Sequence, residues 1–77
     1  MKAIFYVEAV VDEEIEDPVE VHLTRLAGGM PPIKRFENYD KVKFETALTK
    51  REITVFDWFM KSCGYSYDMV VMPVGVI

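Results

Sequence analysis

Intrachain disulfides and the common zinc sites are out of reach, because the chain has one cysteine, Cys63, and one histidine, His22. A lone thiol has no partner to bridge, and one Cys with one His cannot supply the four ligands of a structural zinc site. Basic residues are scarce at the start: the first 20 positions hold Lys2 against seven acids, and the whole chain carries a net charge of −4. That deficit disfavours general nucleic-acid binding, which depends on cations that neutralise phosphates. The apolar runs stop well short of the roughly 20 residues a membrane helix needs, and no secretory pattern follows Met1-Lys2. A cytoplasmic, reducing setting is the expectation.

What is present is apolar residue, at 51% of 77 positions. A chain of this length reads as a single α+β domain spanning 1–77, and it buries only about 60% of its unfolded surface. Without disulfide or metal, a well-packed core or association with other copies must supply the stability.

The stretch Leu48 to Gly64, LTKREITVFDWFMKSCG, organises the rest. Thr49 and Glu52 form a capping box, Leu48 and Ile53 a hydrophobic staple, and Gly64 stands where a helix-terminating glycine belongs. At 100° per residue, Phe56 and Cys63 centre one face with Ile53, Phe59 and Met60 beside them. Cys63 is therefore expected on the core side, as an inert buried thiol. Trp58 falls about 150° from that stripe, near Arg51, Thr54, Lys61 and Ser62. Lys50 and Arg51 occupy the first turn, where positive charge opposes the helix macrodipole.

Four strand-like segments surround the helix. Lys2 to Val11 is apolar on both faces, with Ala3, Phe5, Val7, Ala9 and Val11 opposite Ile4, Tyr6 and Val10. The acids from Asp12 to Asp17, followed by Pro18, read as a hairpin loop; they lack the ligand spacing and glycine of a calcium loop, and cation binding there stays open. Val19 to Arg25 alternates as a strand with His22 facing water. Ala27 to Asn38 is the longest irregular stretch, with Met30, Lys34, Arg35 and Phe36 on it. Tyr39 to Thr46 alternates again, and Met69 to Ile77 reads as a buried strand in which Pro73 must fall at an unpaired position or a bulge. The expected fold is a single mixed sheet of about four strands with one α-helix packed across one face, in the order β-β-β-α-β. The strands flanking the helix should run parallel, with the first strand beside or between them. One helix leaves the opposite sheet face incompletely covered, which favours a homodimer or an obligate partner.

No catalytic pairing, metal spacing or cofactor motif is visible, so the chain reads as non-enzymatic, with no cofactor. The leading reading is a small acidic interaction protein that binds and modulates, by inhibition for example, a larger macromolecule. Its contact surface is Trp58, Arg51 and Lys61 with the loop residues Met30, Lys34, Arg35 and Phe36, because Trp and Arg dominate interface energetics. A protein partner with a basic surface suits the acidic charge. In size and charge the chain is similar to the small acidic inhibitors of phages and other mobile elements, including anti-CRISPR proteins; the similarity is one of composition. The alternative is a small structural subunit of a homo-oligomeric assembly.

Overall fold

The computed structural model describes residues 2–26, 28, 34–38 and 40–76. In chain order these form β1 (Ala3–Asp12), a 3-10 turn (Glu13–Ile15), α1 (Glu16–Leu26), β2 (Lys34–Asn38), β3 (Lys41–Thr49), α2 (Lys50–Ser62) and β4 (Tyr67–Val76). The four strands make one sheet in the order β2-β3-β1-β4. Every neighbouring pair is antiparallel, which corrects the mixed sheet expected from sequence. The two strands joined through α2 do run parallel to each other, with β1 between them. This is the βαββαβ arrangement of ferredoxin-like folds.

The main correction is α1, since Val19 to Arg25 is helix and not strand. Val19, Val21 and Leu23 satisfy a period of two, but Val19 and Leu23 also lie four apart and are both fully buried, while Val21 is 51% exposed. The acids before them are a helix start and not a hairpin loop. Glu16 and Asp17 fill the first turn of α1, where negative charge is favourable and Pro18 loses no hydrogen bond. His22 accordingly leaves the wet sheet face for the seam between the helices, its ring stacked on Phe59 at 3.9 Å between centroids.

The second helix follows expectation. Thr49 Oγ1 accepts from the Glu52 amide at 3.3 Å, and Glu52 Oε1 accepts from the Thr49 amide at 2.8 Å. Gly64 takes φ +73° just beyond the helix, the left-handed conformation that glycine adopts without strain. Phe56 and Met60 are buried, but Cys63 is exposed. Tyr65, set edge-on to Phe59, packs against the core at the end where periodicity had placed the thiol.

Both helices bury their apolar sides against one sheet face. Val7, Ala9 and Val11 of β1, with Val42, Phe44 and Leu48 of β3, meet Val19 and Leu23 of α1 and Phe56 and Met60 of α2. Residues opposite one another across β1 and β3, such as Ala9 and Phe44, share that face because strand side chains alternate.

The edges differ from expectation too. Lys34 to Asn38, read as loop, is β2, a five-residue edge strand. The apolar β4 is the other edge, and Val70, Val71, Met72 and Val74 are exposed, so the segment is not the buried strand its composition suggests. Pro73 pairs with Phe5 and Gly75 with Ile4, which leaves Val74 as the extra residue of the anticipated bulge.

Candidate functional site

The sheet face turned away from the helices is left uncovered by every described element. Alternation brings Ile4, Tyr6, Glu8 and Val10 of β1 to this side, with Lys43, Glu45 and Ala47 of β3 and Val70 and Met72 of β4. Phe36 of β2 joins them opposite Lys43. Phe36, Val70 and Met72 are 46%, 50% and 52% exposed, well beyond what an apolar sheet face in a closed core would show.

A charged group sits among these apolar residues. Lys43 Nζ lies 3.1 Å from Glu45 Oε1 and 3.8 Å from Glu8 Oε2, and 5.0 Å above the centre of the Phe36 ring. The Tyr6 hydroxyl donates to Glu8 Oε2 at 3.3 Å. Its pKa is pushed up to about 12 by burial first, and then by Glu45 and Glu8, whose negative charges oppose a phenolate. The phenol is therefore a fixed donor at neutral pH. Arrayed in this way, the face can seat an apolar surface and orient it through a central ion pair.

The residues expected to form one contact surface are divided by the sheet. Trp58, 68% exposed, and Arg51, also exposed, share the outward side of α2, seven positions apart. Lys61 lies nearby but is engaged by Asp57 Oδ2 at 2.8 Å. Phe36 stands on the opposite, helix-free face. Arg35 projects to the helix side, where its Nε donates to Glu16 Oε2 at 2.8 Å and its guanidinium also meets Glu37, ties that raise its pKa. Lys34 begins β2, and Met30 lies outside the described residues. Sequence reasoning left out Tyr6, Glu8, Val70 and Met72 as site residues, although the two-sided apolarity of β1 already marked an open face.

Asp12, Glu13, Glu14 and Asp40 border a shallow cavity of about 420 Å3 at the far end of β1. Asp12 is held by Lys41 at 2.5 Å. Among the described residues no group of three or more His, Cys, Asp or Glu is placed to share a metal ion, and no described helix is long and apolar enough to cross a membrane.

No protein-family model and no curated protein sequence matches the chain. Solved structures do. A candidate PII-like signaling protein from Thermus thermophilus superposes with a TM-score of 0.70 at 14% identity, covering 99% of this chain and 90% of that one. The nitrogen regulatory PII-like protein CPII from Thiomonas intermedia, solved with ADP, AMP and bicarbonate, gives 0.71 at 11% identity over 97% of this chain and 93% of that one. At such identities the likeness shows the fold, and the fold is that of PII-like proteins along nearly the whole length of both chains.

Proposed function

We propose that this chain is a small non-enzymatic regulatory protein that binds a small ligand and modulates a larger protein in the cytoplasm. The observation that carries the reading is the near end-to-end match to two PII-like proteins, one described as signaling and one as nitrogen regulatory. Trp58 and Arg51 on the outer side of α2 are the residues we assign to the protein partner, since tryptophan and arginine are enriched among the residues that anchor interfaces. The comparison with phage inhibitors rests on size and charge alone, and the shared fold directs the reading toward regulation.

Calorimetric titration with ADP, AMP and bicarbonate, the ligands of the Thiomonas protein, tests the first half. Saturable binding without release of phosphate supports a sensor. Turnover of nucleotide, or no binding of any of the three, counts against it. For the second half, Trp58→Ala should leave the circular dichroism unchanged and weaken capture of the partner; loss of folding would return Trp58 to a structural role.

The bare sheet face supports a second reading, self-association, because Phe36, Val70 and Met72 stay exposed on it. A homodimer is the simplest closed assembly that would cover such a patch. Light scattering over a concentration series separates a stable monomer from an assembled species.

A further inference from the structure

The cations whose side chains are described fall into two groups. Arg35, Lys41, Lys43 and Lys61 each hold a carboxylate. Lys2, Arg25, Lys50 and Arg51 are exposed and have no ion-pair partner among the described residues. Of these, Lys2, Lys50 and Arg51 line a single shallow cavity of about 260 Å3, with Ala3 and Thr49 completing its wall. The strand register brings them together: Ile4 lies opposite Thr49, so Lys2, just ahead of β1, stands where Lys50 and Arg51 begin α2.

Nothing in the fold calls for positive charge at this place. Cations in a first helical turn work against the macrodipole, and α1 shows the favourable pattern with Glu16 and Asp17. Three like charges around one hollow also repel each other. The acid next to Arg51 in sequence, Glu52, has Oε1 engaged by the Thr49 amide, and the Thr49 hydroxyl is engaged by the Glu52 amide. The chemistry the cavity offers is therefore that of two ammonium groups and one guanidinium, offset in part by Glu52.

We propose that the Lys2, Lys50 and Arg51 cavity binds a small oxyanion, either free or as the anionic end of a larger molecule. Its volume is below the roughly 300–1,000 Å3 of pockets that enclose drug-sized ligands. The Arg51 fork matches two oxygens of a phosphate or carboxylate, and the lysines contribute point charges. The acids at the other end of β1, Asp12, Glu13 and Glu14, repel an anion and leave this end as the favoured approach. The site is separate from the bare sheet face and shares Arg51 with the surface assigned to the protein partner, so an anion bound here would compete with that partner for one side chain.

The test is an amide NMR titration with inorganic phosphate in a buffer free of other oxyanions, with bicarbonate and ADP as parallel arms. Saturable shifts confined to Lys2, Ala3 and residues 49–52 are expected. The double variant Lys50→Gln with Arg51→Gln should lose at least about tenfold in phosphate affinity while melting at the same or a higher temperature, because the charges removed oppose the helix. Lys2→Gln, outside the helix, should weaken phosphate in the same direction. Saturation by bicarbonate or by ADP at these residues supports the site and identifies the source of the anion. Shifts that never saturate, spread over the surface or persist unchanged in the variants overturn it. ADP binding that leaves these residues unshifted, when phosphate does too, overturns the site but not the regulatory reading.

Discussion

The two faces of the sheet are built from the same strands and have opposite fates. On one, Val7, Ala9, Val42 and Phe44 are at most 1% exposed beneath two helices. On the other, Tyr6, Glu8, Lys43 and Glu45 make a polar centre ringed by Phe36, Val70 and Met72 that no described element covers. Burial of each large side chain on the first face contributes about 1.5–3 kcal/mol, and a domain this small has little else to rely on. Stability is thus concentrated on one face, which leaves the other free to serve recognition.

The largest effect should come from opening the covered face. Phe44→Ala removes a fully buried ring and should cost about 3–5 kcal/mol, enough to abolish a cooperative thermal melt. Thr46, buried at 6% exposure, has a hydroxyl without a hydrogen-bond partner among the described residues. Thr46→Val should therefore stabilise by about 1 kcal/mol, read as a higher urea midpoint at unchanged slope.

The helical seam adds a dependence on acid. Burial, and then the charge of Arg25, lower the His22 pKa below 6.5. The unfolded chain consequently takes up the proton first. The stability that neutral His22 contributes is complete above 6.5 and declines as pH falls from there through the lower folded value. His22→Phe should preserve the stack on Phe59 and remove this component, which urea melts across that window measure. The bare face should give the smallest change in folding: Val70→Lys with Met72→Lys should shift monomer stability by no more than about 0.5 kcal/mol. The same pair should abolish any self-association seen by light scattering; a large loss of stability in a monomeric sample would show that this face belongs to the core.

Where the sequence was legible, two independent signals agreed. The start of α2 carried a capping box as well as a stripe, β1 joined β-branched and aromatic residues to apolarity on both faces, and β3 alternated over a long run. The outward position of Trp58 followed from the same helical angle. The α1 segment reads as strand in sequence because three apolar residues in alternation fit either period, and the acids ahead of it resemble a turn until the macrodipole is weighed. β2 was hidden because a short edge strand needs charge on it to resist pairing, and charge reads as loop. β4 reads as buried because composition records what a residue is and not what lies over it. The anion cavity depends on register between residues some fifty positions apart, which no local pattern displays.

β1 lies at the centre of the sheet and pairs with β3 and β4, never with its neighbour in sequence. Both of its ladders therefore close over long spans of chain. During synthesis β1 emerges before either partner and must wait for the last strand to complete its second ladder. Folding should accordingly be late and all-or-none, at the slower end for so short a chain. Until it finishes, a ten-residue segment whose only charges are Glu8 and Asp12 stands unpaired, which makes the nascent chain a natural client for chaperones.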